Sequence, residues 1–332
     1  MENGVLNKTL KVLLGAYLLS LSALTHTESF QTTKTWFGDP DLQGVWTNAT
    51  LTTLERPDNF KALLVSKNEA RRASAIASRG SDEYDNFLKK GETPKAGQDV
   101  GGYNTAWMDP GTELIKINGV YRSSIIISPK NGKLPWDQKK RREYFAKDYR
   151  RGFKRTDHPE LRGVGERCIV GFGSSGGPPM MNVLYNNNYQ IVQSPGYVMI
   201  MAEMIHDSRI IRLEGSHLPK LIDPWMGDSI GRWEGDTLVV ETRNFNYQHI
   251  HRAALRHYFA ISKDAKVTEL FKRISDTEIM YRFSVDDPDL YKSSWQGEMP
   301  LRLQNDRIYE YACHEGNYAM ANILAGAREK EK

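Results

Sequence analysis

Short runs of alternating apolar and polar residues dominate the second half of the chain, separated by turns rich in Gly, Asn, Asp and Ser. Alternation places apolar side chains on one face of a strand, so each run predicts a half-buried β-strand. The runs pair into hairpins across turns at 194–196, 234–236, 275–276 and 305–306, and the last strand is predicted at 307–313. Without a helix-length crossover, this pattern predicts an antiparallel meander, closed into a barrel or folded into two packed sheets.

The first half of the chain has a different pattern. A Ser-, Ala-, Arg- and Glu-rich segment at 66–90 predicts an exposed helix, and Asp137 is placed to cap a second helix that ends near residue 151. Residues 120–128 predict a strand that leads into a tight turn at Asn131-Gly132. We therefore predict a mainly antiparallel β fold for residues 36–332. It is a single lipocalin-like meander barrel with helical insertions at about 66–151 and a helical tail from residue 316.

The N-terminus predicts export. Lys8 and Lys11 precede an apolar run at 12–24, which is too short for an ordinary membrane span. We predict that residues 1–25 are a signal peptide or N-terminal anchor, which places the protein in the periplasm or outside the cell, with membrane proximity through this segment. In such an oxidising compartment Cys168 and Cys313 form a disulfide or remain as two buried thiols.

Composition limits the partners. The net charge of +4 over 332 residues is too small to indicate a nucleic-acid partner. Basic and aromatic residues interleave in the predicted helix after Asp137, but this pattern is typical of an amphipathic helix with solvated charges. Seven Trp and sixteen Tyr favour β-structure and a ligand cleft. We expect a small apolar or amphipathic molecule as the partner.

Six strings carry a resemblance to a known family. They are DLQGVWTN at 41–48, GYNT at 102–105, YNNNYQIVQ at 185–193, EMIHD at 203–207, WEGDTLVVET at 233–242 and YEYACHEGNY at 309–318. Together they resemble a broad family of exported bacterial proteins of uncharacterised function, which implies no assigned catalytic residues. Gly44-x-Trp46 is similar to the opening of lipocalin-type barrels. That likeness implies binding of hydrophobic ligands, or isomerisation and cyclisation without a cofactor.

Two of these strings place catalytic residue types at predicted strand ends. Alternation puts Asp207 and Arg209 on one face and His206 on the other, unless the chain turns there. We expect His206 or His314 to move a proton, Asp207 or Glu315 to orient it, and Arg209 and Tyr311 to stabilise negative charge. These groups are predicted to converge on one site, with Trp46, Trp107 and Tyr189 contacting the substrate. The leading hypothesis is a cofactor-independent isomerase, cyclase or lyase acting on a small, largely apolar molecule in a barrel cavity.

Two alternatives stay open: a non-enzymatic envelope ligand-binding protein, and a hydrolase that uses a metal at His249 and His251 or a nucleophilic Ser175. The neighbouring Arg252 and Arg256 disfavour a metal cation, so none is predicted. Residues 171–176 spell the glycine pattern of a dinucleotide site, but Pro178 and Pro179 follow where a phosphate-binding helix is required. We predict that residues 171–179 form a mobile loop over a pocket mouth and bind no cofactor.

Overall fold

Nine β-strands close into a barrel in the computed structural model, which describes residues 30–85, 108–148, 150–254 and 256–332. Residues Thr32–Lys332 form one compact unit. The strands are β1 Gly44–Thr47, β2 Leu64–Val65, β3 Lys116–Ile117, β4 Val120–Arg122, β5 Ile126–Ser128, β6 Asn188–Ser194, β7 Tyr197–Ala202, β8 Ser208–Arg212, β9 Asp228–Glu234, β10 Thr237–Arg243, β11 His251–Ala254, β12 His257–Ala260, β13 Lys266–Ser275, β14 Glu278–Asp286 and β15 Trp295–Gln304. The predicted mainly antiparallel barrel is confirmed.

The barrel order is β1-β6-β7-β8-β9-β10-β13-β14-β15, and β1 pairs with β15 to close it. β5 pairs with β15 at Gln296 and Gly297, away from the residues 302–304 with which β1 pairs. β11–β12 and β2–β4–β3 form two small separate sheets. Two details differ from the prediction. β8 and β9 run parallel, joined by a crossover through 213–227. Residues 307–312 form no strand, so the expected fourth hairpin is wrong, and β1 takes the place beside β15.

The helices of the described residues lie outside the barrel wall: α1 Lys67–Asp85, α2 Gln138–Ala146, α3 Cys313–Gly316 and α4 Tyr318–Lys330. Asp137 caps α2 as predicted, because its Oδ1 accepts hydrogen bonds from the backbone N–H groups of Lys139 and Lys140 at 3.0 and 3.1 Å. The helix ends at Ala146, before its expected end near residue 151. Among the helices described, none has the length and apolar character required to span a membrane.

Large apolar side chains fill the barrel interior. Inward positions of the strands alternate, so that Val267, Glu269 and Phe271 of β13 and Tyr281 and Phe283 of β14 are all fully buried. Glu269 therefore places a carboxylate inside the core, where an unpaired charge would be strongly unfavourable.

Residues 171–183, which we call the glycine-rich segment, pack against this core. All of these residues except Phe172 are buried, including Met180 and Met181, and the Met180 N–H donates to Tyr281 Oη at 2.9 Å. The prediction of a loop that covers a pocket mouth is therefore wrong. Small glycines let the chain pass close to other backbone, and the methionines supply the apolar surface that anchors it.

Cys168 and Cys313 form a disulfide. It joins the turn at 165–168 to the start of α3, 145 residues further along the chain. Of the two states left open by the sequence, the structure contains the disulfide.

Candidate functional site

The two strings that suggested a site do meet. The backbone N–H of Tyr309 donates to Glu203 Oε1 at 3.2 Å, and Met204 and Ile205 share an apolar cluster with Tyr311 and Cys313. Glu203, Met204 and Ile205 are buried and Tyr311 and Cys313 are half-buried, while Tyr309 contributes a backbone N–H and is itself exposed. These contacts hold the C-terminal segment against the turn that precedes β8.

The candidate catalytic side chains nevertheless lie in different environments. Arg209 lies inside the barrel, with both terminal nitrogens bound to Glu269 at 2.7 and 3.0 Å. His206 is exposed at the end of the 3₁₀ turn Met204–His206, and His314 and Glu315 are exposed on α3. None of these four residues lines the clefts described below.

Asp207 is buried, whereas His206 is exposed. The chain turns at Met204–His206 and β8 begins at Ser208, so strand alternation does not set the side on which Asp207 lies. Asp207 Oδ2 accepts a hydrogen bond from the Gly171 N–H at 2.6 Å. Burial raises the pKa of Asp207 to about 6, against the opposing effects of this hydrogen bond and of the Arg252 charge. Asp207 therefore anchors the glycine-rich segment, with a carboxyl group that titrates close to neutral pH.

The predicted substrate-contacting aromatics are core residues where the structure describes them. Trp46 and Tyr189 are at most 1% exposed. Trp46 Nε1 donates to the Leu42 carbonyl at 3.0 Å, and the Tyr189 hydroxyl donates to the Ser175 carbonyl at 2.8 Å. Trp107 lies outside the described residues.

Ser175, the serine of the hydrolase hypothesis, is also buried. Its hydroxyl has no hydrogen-bond partner among the described residues. A serine nucleophile requires a base within hydrogen-bond reach. This arrangement gives the serine-hydrolase hypothesis no support.

An open cleft lies beside the barrel, between the glycine-rich segment and β11. We call it the side cleft; its volume is about 540 Å³. Apolar groups form much of its wall, including Phe153, Leu161, Val164, Phe172 and Ala253. Its titratable lining residues are Asp148, Arg150, Arg155, Glu166, His249 and His251. A largely apolar pocket with a few polar groups is the usual form of a small-molecule site.

His251 is fixed in the wall of the side cleft by three contacts. Its ring stacks on Phe145 of α2, with centroids 4.8 Å apart, and its Nδ1 lies 3.0 Å from the hydroxyl of Tyr258 on β12. Its Nε2 lies 3.7 Å from Asp148 Oδ2. Asp148 acts on the ring as a counter-charge and as an acceptor, and a separation of 3.7 Å leaves room for a closer partner at Nε2.

The charges around His251 favour a neutral imidazole beside an ionised carboxylate. Burial lowers the pKa of His251, and Arg150 lowers it further, while Asp148 acts in the opposite direction. Burial alone would raise the pKa of Asp148, but hydrogen bonds and charge from Arg150 lower it below its usual value. Arg150 holds this carboxylate through its Nε, at 2.9 Å from Oδ1, and its Nη2, at 2.5 Å from Oδ2.

His249 is fully engaged by protein groups. Its Nδ1 lies 3.1 Å from the Trp225 carbonyl, and the Arg252 guanidinium contacts its ring. Burial lowers the pKa of His249 well below its usual value, and Arg252 adds to this. His249 and His251 thus face different partners. In the part of the chain that the structure describes, no group of three or more His, Cys, Asp or Glu side chains is arranged to hold a metal ion.

Tyr311 lines a second, smaller opening of about 440 Å³ between α4 and the segment 162–172. Its ring stacks on Tyr185 with centroids 6.2 Å apart, and burial raises its pKa. Glu166 and Phe172 line both this opening and the side cleft. Of the predicted catalytic residues, Tyr311 is the one that lines either opening.

Sequence reasoning missed the Asp148–His251 pair. The sequence pattern presents His251 as a candidate metal ligand and predicts Asp148 inside a helix. The end of α2 at Ala146 puts Asp148 in the following loop, where it faces β11.

In comparisons with known proteins, no family model, curated protein or solved structure matches the chain. The resemblance to exported bacterial proteins therefore stays a prediction.

Proposed function

We propose that this protein is a cofactor-independent acid/base enzyme that acts on a small, largely apolar molecule in the side cleft. The observation that carries the proposal is the position of His251. Its Nε2 faces the side cleft, with Asp148 Oδ2 of an ionised carboxylate 3.7 Å away. A histidine with a lowered pKa is unprotonated at neutral pH and can accept a proton from a bound molecule.

In this mechanism the neutral imidazole carries its hydrogen on Nδ1 and donates it to the Tyr258 hydroxyl, and the lone pair of Nε2 takes a proton from carbon or oxygen of the substrate. The Asp148 carboxylate stabilises the imidazolium that forms, as an opposite charge within a few ångströms does. Tyr258, bonded to Nδ1, and Phe145, stacked on the ring, keep the imidazole in one orientation. Return of the proton to a different atom gives isomerisation or cyclisation, and loss of a leaving group gives elimination.

The proposal places proton transfer on His251 in preference to His206 or His314. Each of those two histidines is exposed and lies outside the two clefts, whereas His251 combines a cleft, a carboxylate and a fixed ring. We also propose a periplasmic or secreted location, supported by the Cys168–Cys313 disulfide.

Solvent hydrogen exchange tests the proposal for any reaction that begins with removal of a proton from the substrate. Small molecules retained by the purified protein are identified by mass spectrometry and then incubated with it in D₂O. We expect the native protein to exchange or convert the bound molecule, and His251→Gln to lose at least about 100-fold in rate, the usual contribution of a general base. His206→Gln and His314→Gln are the matched controls and should retain the native rate.

Two outcomes have distinct meanings. Loss of exchange in His206→Gln with a normal rate in His251→Gln would move the active site away from the side cleft. Binding without exchange or conversion by the native protein would favour the second candidate, an envelope ligand-binding protein, which the same apolar cleft supports. The rate should also rise with pH to a plateau, with a midpoint below the ordinary histidine pKa because burial lowers that of His251.

A further inference from the structure

Positive charge is concentrated in one short part of the chain. Residues 139–155 contain nine Lys and Arg residues and two acidic residues, which gives this segment a net charge of +7. The whole chain has a net charge of +4, so the remaining residues together carry 4 − 7 = −3. Such asymmetry favours interaction of this segment with an anionic partner.

Three arginines of this segment share one groove. Arg141, Arg142 and Arg151 line a shallow groove of about 590 Å³, together with Gln138, Phe145 and Ala146. We call it the arginine groove. It shares no lining residue with the side cleft.

Neutral partners hold these three side chains. The Arg141 guanidinium lies 4.3 Å from the centre of the Trp136 ring, Arg142 Nε donates to the Gln138 carbonyl at 3.1 Å, and Arg151 Nη1 donates to the Ala146 carbonyl at 3.0 Å. Among the described residues, ion pairs neutralise the neighbouring Arg150 and Arg155 but none of the groove arginines.

Three guanidinium groups that form no ion pair within the described part of the chain line one concave surface, which suits an oxyanion. Guanidinium presents a planar fork of donors that matches phosphate, and hydrogen bonds between charged partners are about twice as strong as neutral ones. Mutual repulsion of the three cations is relieved when an anion binds between them.

We propose that the arginine groove binds the phosphate of an anionic phospholipid headgroup and docks the protein on a membrane surface. A membrane is favoured over a soluble phosphate by the rest of the segment. Phe153 is 63% exposed, and Lys139, Lys147 and Lys154 are also exposed. An exposed aromatic side chain among several cations is typical of segments that lie at the surface of an anionic bilayer.

Vesicle binding by the full-length protein tests this proposal. The native protein should sediment with phosphatidylcholine vesicles that contain phosphatidylglycerol and not with phosphatidylcholine alone. Arg142→Gln/Arg151→Gln should bind at least about tenfold more weakly, because each basic residue near such a surface contributes about 1 kcal/mol. Arg71→Gln/Arg72→Gln on α1 is the matched control, since it removes the same charge from two exposed positions, and it should bind as the native protein does.

Two further probes identify the source of the phosphate. Glycerol phosphate is the first probe. If it binds, with binding weakened by Arg142→Gln/Arg151→Gln, while vesicles do not bind, the oxyanion site is supported and docking on a membrane is refuted. If a ribonucleotide homopolymer binds more tightly than vesicles and its binding is weakened by the same double variant, the proposal is overturned in favour of a nucleic-acid partner. Equal losses in the groove and control variants would also overturn it, because diffuse charge would then explain the binding. Thermal unfolding confirms that each variant is folded, and the single variant Arg142→Gln serves if the double variant is not.

Discussion

Arg209 and Glu269 form a bidentate ion pair inside the barrel, with Nη1–Oε2 and Nη2–Oε1 distances of 2.7 and 3.0 Å. The side chains are 2% and 0% exposed. The Tyr281 hydroxyl donates to the same carboxylate at 2.7 Å and accepts from the Met180 N–H. Burial would lower the pKa of Arg209, but the Glu269 charge raises it above its usual value. The pair thus links β8, β13, β14 and the glycine-rich segment through charged and polar groups.

Removing one member of this pair should unfold the protein more readily. Glu269→Gln leaves the Arg209 cation buried without a counter-charge, and we expect a loss of about 3–5 kcal/mol in the free energy of unfolding. Urea unfolding followed by tryptophan fluorescence measures this. Replacing both residues, as Arg209→Met/Glu269→Leu, should recover much of the loss, because no unpaired charge remains. The exposed pair Arg232–Glu234 is the control, and Arg232→Met should change stability by about 1 kcal/mol or less. A loss in Glu269→Gln as small as this control would contradict the prediction.

Asp207 should destabilise the folded protein at neutral pH. Its pKa is about 6 when folded and near 3.8 when unfolded, so between these values the folded state holds the extra proton. Stability therefore falls as pH rises from about 4 to about 6 and then levels off. Asn keeps an acceptor for the Gly171 N–H without the charge. Asp207→Asn should be more stable than the native protein at pH 7, by about 3 kcal/mol at 1.36 kcal/mol per pKa unit, and equally stable near pH 4. Chemical unfolding at several pH values measures the difference; a constant difference at every pH would refute it.

The disulfide should contribute strongly to stability because it closes a long loop. Cys168→Ser/Cys313→Ser should lose about 2–5 kcal/mol in the free energy of unfolding. Reductant should lower the unfolding midpoint of the native protein to nearly that of the variant and leave the variant unchanged. If reductant does not shift the native midpoint, the bond does not stabilise the fold in this way.

Gly173 should tolerate no side chain. Its φ is +60°, and a Cβ built there would lie 2.6 Å from the Cβ of Ala254. Gly235 in the β9–β10 turn has almost the same φ, +59°, but no atom within 4 Å of that position. Both alanine variants incur left-handed strain, while Gly173→Ala also overpacks the contact with β11, so it should lose about 1–3 kcal/mol more. Equal midpoints of thermal unfolding would show that the contact relaxes without cost.

Local patterns in the sequence predicted the local features of this fold. Alternation located β6, β7, β9, β10, β13 and β14 with their turns. The cap at Asp137 was also evident, since a capping carboxylate acts on residues two and three positions away. These features depend on neighbours along the chain, and the sequence shows those directly.

Features set by distant contacts were not predictable in the same way. Glycines and prolines at 171–179 suggested an exposed loop, yet Met180 and Tyr281 tie the segment to the core across a separation of 101 residues. The polar cluster around His251 depends on α2 packing against β11, which no local pattern specifies. Glu269 gave a usable signal, because it lies between Val267 and Phe271 on the inward face of β13. An inward carboxylate requires a cation, but nothing local in the sequence identifies Arg209 of β8, because β9 and β10 lie between β8 and β13 in the barrel.

The parallel contact between β8 and β9 has a consequence for how this barrel can change size. Neighbouring strands that alternate in direction around a closed ring must be even in number, and this ring has nine. A ring with an odd number of strands must therefore contain a parallel pair. Here that pair is β8–β9, and the crossover at 213–227 connects its two strands. Insertion or deletion of a whole hairpin preserves that parity. Loss of a single strand would leave an even number of strands. Such a ring either contains a second crossover connection or no longer requires the crossover at 213–227. Homologous barrels with eight or ten strands should accordingly have a short turn where this chain has residues 213–227.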